Sequence, residues 1–105
     1  MYSMSDVGQA GENHVARWLQ SQGFTVRQNT QLPGSTDIEA ANSAKRLLVQ
    51  VKSAVYPGAP ATLSSDEVRN ITSRAARIGA EAWVAQVVLN QQLQVQGQMA
   101  WTKLN

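Results

Sequence analysis

Arg46-Leu47-Leu48-Val49-Gln50-Val51-Lys52-Ser53 is the stretch from which the fold is read. Leu47, Leu48, Val49 and Val51 are bulky and apolar, and Gln50 and Lys52 alternate with them toward its end. That is the pattern of a strand buried along most of its length and half-solvated at its close. Just upstream, Asn42-Ser43-Ala44-Lys45 reads as a tight turn and residues 36–41 as a second strand, so the two strands form a hairpin. Gln31-Leu32-Pro33-Gly34-Ser35 is a turn, because Pro-Gly punctuates the chain and Pro33 cannot donate to a ladder. Phe24-Thr25-Val26 is a short strand before it. Further back, Val7, Gly11, Val15, Trp18, Leu19 and Gln22 recur at spacings of three and four. This periodicity predicts an amphipathic helix over about 6–22, with Ser5 or Asp6 as its N-cap and Gly23 as its left-handed stop.

Downstream, residues 54–63 carry Pro57, Gly58 and Pro60 and form a loop. Ser64-Ser65-Asp66-Glu67 is a capping box, in which the serine hydroxyl and Glu67 satisfy free backbone amides reciprocally. It opens a helix over 65–78 with an apolar stripe of Val68, Ile71, Ala75 and Ile78, stopped by Gly79. Residues 82–89 are apolar enough for a central strand. Leu93, Val95, Met99 and Trp101 alternate around Gly97, which predicts a closing C-terminal β hairpin. The order α, β, β, β, α, β and hairpin predicts an α/β fold, a mixed central sheet flanked by helices.

The 105 residues fit a single domain, 1–105, at a soft prior of about 150 residues per domain. Hydrophobic residues make up 43% and charged ones 15%, which excludes a disordered tail. The longest apolar runs fall well short of a membrane-spanning helix, and no basic-then-apolar leader opens the chain. A cytoplasmic protein without membrane attachment is the expectation. The absence of cysteine excludes disulfide scaffolds, thiol catalysis and cysteine-ligated metals together. Net charge is only +2, too small to argue for nucleic acid by itself.

Chemistry gathers on the central hairpin. Side chains alternate along a strand, so Asp37 and Glu39 share one face, as do Gln50 and Lys52 on the partner strand. A carboxylate with a carbonyl-type oxygen is the donor set that a hard divalent cation such as Mg2+ takes. A lysine beside it is placed to hold or activate a water for attack on a phosphate. Glu12 borders the apolar stripe of the first helix, about 20° from Leu19 on a wheel of 100° per residue. Each of these has a plainer reading as well. Gln50 and Lys52 suit the solvated side of a half-buried strand, Asp37 suits a turn, and Glu12 suits a helix flank.

Glu12 on the first helix, Asp37 after a Gly-containing turn, and Gln50-Val51-Lys52 on the next strand resemble the PD-(D/E)xK nuclease superfamily, over roughly residues 8–89. The Gln-x-Lys form, with Gly34 three residues before Asp37, is most similar to the Mrr-type restriction endonucleases, to which Holliday-junction resolvases are related. Thr36 stands where the family name has Pro, and Gln50 stands where it has an acid. The resemblance implies a restriction endonuclease-like αβββαβ core and Mg2+-dependent hydrolysis of phosphodiester bonds in DNA. By the same resemblance, Asp37, the Gln50 side-chain oxygen and the Val51 carbonyl bind Mg2+ or Mn2+. Lys52 orients and helps deprotonate the attacking water, and Glu12 contacts the metal through water or holds Lys52. Glu39 shares a face with Asp37 and is the residue that could lend the charge Gln50 lacks.

Arg74 and Arg77 lie one turn apart on the polar face of the second helix, as solvated charges or, under the nuclease reading, as phosphate contacts. His14 reads as a helix-surface residue, and Trp18, Trp83 and Trp101 as core packing rather than base-stacking platforms. No Gly-x-Ser-x-Gly elbow surrounds Ser64 or Ser65, and no phosphate-cradling Gly-x-x-x-x-Gly-Lys motif is present. No organic cofactor is expected. Two functions of different class stay open. One is a metal-dependent DNA endonuclease, small enough to act as a homodimer with each subunit cutting one strand. The other is a catalytically inactive nuclease fold that binds DNA or a protein partner.

Overall fold

The computed structural model describes residues 2–28 and 38–105. The expected turn over 31–35, and with it Thr36 and Asp37, lies outside the described residues. The element order is α1 (Met4–Ser21), β1 (Thr25–Gln28), β2 (Ile38–Ala41), β3 (Arg46–Val55), α2 (Ser65–Ile78), β4 (Glu81–Leu89) and β5 (Ala100–Lys103). The strands form one mixed sheet in the order β1-β2-β3-β4-β5. β1, β2 and β3 pair antiparallel, β3 and β4 pair parallel, and β5 returns antiparallel to β4. A parallel pair cannot be closed by a tight turn, so α2 serves as the crossover between β3 and β4.

The β2–β3 hairpin closes through the expected turn, where the Asn42 amide donates to the Lys45 carbonyl at 3.0 Å. The Asn42 side-chain oxygen accepts from the Ala44 and Lys45 amides, both at 2.8 Å. α2 has the expected bounds. Ser64 Oγ accepts from the Glu67 amide at 3.1 Å, Glu67 Oε1 accepts from the Ser64 amide at 2.9 Å, and Gly79 ends the helix at φ 69.

Several boundaries shift. α1 starts earlier than the apolar stripe, and its cap is Ser3 rather than Ser5 or Asp6. Ser3 Oγ accepts from the Asp6 amide at 3.1 Å while the Asp6 carboxylate accepts from the Ser3 amide at 2.9 Å. The capping box begins the helix one turn before its first buried residue, Val7. β1 starts at Thr25, because the Phe24 amide still donates to the Leu19 carbonyl at 3.1 Å in the wrap that follows α1. β3 runs two residues past Ser53, since β4 stays in register with it as far as Val55 opposite Leu89.

The closing hairpin is made by β4 and β5, not within the glutamine-rich end. Val95 forms only a single bridge to Leu89, and Asn90 Oδ1 ties the intervening turn by accepting from the Gln92 and Gln94 amides.

Strand alternation divides the core into two layers. Leu47, Val49 and Val51 of β3 pack with Val7, Val15, Ala16 and Leu19 of α1. Leu48 points the other way and packs with Ile71 and Ala75 of α2 and Ala82 of β4. Burial of a side chain such as Leu48 or Val49 stabilises the fold by about 1.5–3 kcal/mol. Trp83 and Trp101 lean on the α1-side core as expected. Trp18 does not: it is 43% exposed and lies over Trp101, ring centres 5.1 Å apart, because Val15, Ala16 and Leu19 already fill the core-facing side of α1. Among the described residues, no helix is long and apolar enough to cross a membrane.

Candidate functional site

The α2 side of β3 changes character along the strand. Leu48 is sealed in the core, Gln50 is half-buried, and Lys52 emerges beside the N-terminus of α2. The α2 crossover returns the chain over this face and brings the first turn of α2 to the end of β3. There Lys52 Nζ donates to Glu67 Oε2 at 2.8 Å. The other carboxylate oxygen of Glu67 is the one engaged in the helix cap, so a single side chain ties the strand to the helix end. The Lys52 ammonium, foremost, and the Ser64 amide hold the Glu67 carboxyl below the ordinary glutamate range. Lys52 is opposite Gln86 of β4, whose amide group donates to the Ala61 carbonyl at 3.0 Å and pins the loop leading into α2.

A second charged group lies on the same face nearer the sheet edge. Glu39 is opposite Leu48 in the hairpin register and next to Arg27 in the β1–β2 register. Its carboxylate oxygens take Arg27 Nη2 at 2.7 Å and Arg74 Nη2 at 3.4 Å. Two guanidiniums therefore already engage the charge that Glu39 could have lent to a cation. An open cleft of about 240 Å3 beside this pair is lined by Arg27, Glu39, Arg46, Leu48 and Ile78.

The structure thus brings Gln50, Lys52 and Glu39 to one face of the sheet, as strand alternation requires. Asp37 lies outside the described residues; its sequence neighbour Ile38 is buried opposite Val49. The Val51 side chain joins the α1-side core, leaving its backbone carbonyl as the donor considered for a metal. Glu12 is half-buried on α1, which packs on the opposite face of the sheet, next to Gly11 and its close approach to Ser53 of β3. Glu67 of α2 holds the Lys52 ammonium. Arg74 and Arg77 separate: Arg74 is half-buried and turned toward Glu39, so it is not on the solvated face of α2, whereas Arg77 is exposed.

His14 takes a structural part. Its Nε2 donates to the Leu93 carbonyl at 2.9 Å while Nδ1 faces Arg17 at 3.3 Å, which ties α1 to the turn after β4. Glu67 and Arg27 pair with the predicted residues Lys52 and Glu39, and sequence reasoning singled out neither of them for this. Glu67 was visible only as a cap; the signal for more was its position in the first turn of the helix that follows the lysine-bearing strand. The donors considered for a cation, the Gln50 side-chain oxygen, the Val51 carbonyl and the Asp37 carboxylate, are all oxygens, which suits a hard ion. Among the described residues, no three His, Asp or Glu side chains cluster in a metal-binding arrangement.

This fold is similar to that of Hjc, a Holliday junction resolvase of the archaeal hyperthermophile Archaeoglobus fulgidus. The TM-score is 0.72 at 26% sequence identity, over 92% of this chain and 72% of the resolvase chain. Neither a protein-family model nor a curated protein matches the sequence. The likeness bears out the resemblance to the PD-(D/E)xK superfamily and the restriction endonuclease-like α/β fold.

Proposed function

We propose that this resolvase-like chain is a divalent-cation-dependent DNA endonuclease that acts on branched DNA. The observation that carries the proposal is Gln50 and Lys52 side by side on one face of β3, in a fold similar to a Holliday junction resolvase. Asp37, the Gln50 side-chain oxygen and the Val51 carbonyl would hold Mg2+ or Mn2+. Such an ion supplies Lewis acidity toward a phosphate oxygen and a bound water. Lys52 presents its ammonium toward the attacked phosphate and orients the incoming water. In the reaction the water oxygen gives up a proton to bulk solvent and bonds to phosphorus, the bond from phosphorus to the leaving sugar oxygen breaks, and the leaving oxygen takes up a proton from solvent. Glu12 lies in the α1 layer and acts, on this proposal, through a water.

Arg77, exposed on α2, contacts DNA phosphates, and Arg74 does so only by sharing its guanidinium with Glu39. Two copies acting as a homodimer would allow each subunit to cut one strand.

Gln50 supports a second reading. A neutral amide offers a cation an oxygen without charge, as expected of a catalytically inactive relative that only binds DNA or a protein. The test is incubation of wild type and Asp37→Ala with supercoiled plasmid, branched DNA and single strands, with and without Mg2+. Divalent-dependent cleavage of branched DNA, lost in a folded Asp37→Ala protein, is expected. Cleavage retained by that variant ends the nuclease proposal in this form. Binding without cleavage by wild type favours the inactive relative.

A further inference from the structure

We infer that Glu67 is a positioning residue for Lys52, coupling the N-terminus of α2 to the reacting end of β3; this rests on the nuclease proposal. The carboxylate is held at both oxygens, one by the Lys52 ammonium at 2.8 Å and the other by the Ser64 amide at 2.9 Å. Ser64 Oγ returns a bond from the Glu67 amide at 3.1 Å, so the capping ring closes around the residue that grips the lysine. The helix beneath is anchored by Ile71 and Ala75 against Leu48 and Ala82. Lys52 is therefore referred to a rigid point of the fold.

That matters because a lysine is a point charge on a flexible four-carbon stem, and its ammonium is otherwise spread over many rotamers. Lys52 then serves as an oriented cation and hydrogen-bond donor toward the phosphate or the attacking water, with Glu67 setting where its protons point. A cap alone explains the bond between Glu67 and Ser64. It does not explain why the second oxygen meets the one lysine of the family pattern.

Two variants separate the roles. Glu67→Gln keeps an oxygen for the Ser64 amide and removes the charge facing Lys52. Ser64→Ala removes the capping hydroxyl and keeps both the backbone amide and the ion pair. We expect Glu67→Gln to lower kcat on branched DNA about 10- to 100-fold, the usual cost of losing a partner that orients a reacting group, with KM little changed. Ser64→Ala should lower the melting temperature and reduce kcat by less than Glu67→Gln does. Independently of activity, carboxyl-carbon NMR should show Glu67 titrating at higher pH in Lys52→Met than in wild type. Equal kcat in wild type and Glu67→Gln overturns the inference while leaving the nuclease proposal standing. So does an equal loss of kcat in Ser64→Ala and Glu67→Gln, or an unchanged Glu67 titration. A wild type that cleaves no DNA overturns the nuclease proposal, and this inference with it.

Discussion

Replacing Gly11 by alanine probes how closely α1 sits on the site-bearing strand. A Cβ added at Gly11 would lie 2.9 Å from Ser53 Cβ and 3.6 Å from Val51 Cγ1, and closer still to Ser53 Oγ. Carbon pairs are comfortable at about 3.5–4.0 Å, so the Ser53 contact falls short by roughly 0.6–1.1 Å. Relieving it requires α1 to lift or Ser53 to move. Crowding of this kind in a packed core costs about 1–3 kcal/mol. Alanine in place of glycine within a helix returns about 1 kcal/mol through backbone propensity. The net expectation is a loss of about 1 kcal/mol, between limits of about zero and 2 kcal/mol.

Ser53 gives the second arm of a double-mutant cycle. Its hydroxyl is buried without a hydrogen-bond partner among the described residues, so Ser53→Ala should be neutral or stabilising by up to about 1 kcal/mol. In that background the nearest clash with a residue-11 methyl is gone. The cost of Gly11→Ala should therefore shrink, a coupling of about 0.5–1 kcal/mol. Urea unfolding of the four proteins, compared at constant m, measures each value. Were Gly11→Ala to stabilise the protein by the full helix-propensity term, with no coupling to Ser53, the close approach of α1 to β3 would be refuted.

Acid should erode the contribution of the Lys52–Glu67 contact. The Glu67 carboxyl is held below its ordinary range, first by the Lys52 hydrogen bond and then by the Ser64 amide. Its stabilisation is thus full above the ordinary glutamate pKa and is lost as pH falls through the lower folded value. The stability gap between wild type and Glu67→Gln should accordingly close on acidification; a gap independent of pH in denaturant titrations would contradict this sign. At Gln50, added ligand charge should tighten a hard cation, so Mn2+ affinity by calorimetry should rank Gln50→Glu above wild type and wild type above Gln50→Leu. Equal affinities would make Gln50 a strand-surface residue and nothing more.

Much of the architecture is local chemistry and was legible without coordinates. The Ser64–Glu67 box and Gly79 bound α2 as expected, because both ends are set by hydrogen bonds and dihedrals a few residues apart. The Asn42 turn and the alternation of β3 likewise placed Gln50 and Lys52 on a common face. Alternation assigns residues to one of two faces but is silent on what covers each face. The parallel β3–β4 pair and its α2 crossover decided that Lys52 meets Glu67, 15 positions later, and that Arg74, 35 positions from Glu39, turns inward to it. The same packing left Trp18 on the surface despite its place in an apolar repeat, and set Glu12 on the opposite helical layer from Lys52. Short-range hydrogen bonds and side-chain periodicity are written in neighbouring residues. Which distant charges pair depends on how two helices and a twisted sheet divide the space between them, and that is decided only when the whole core closes.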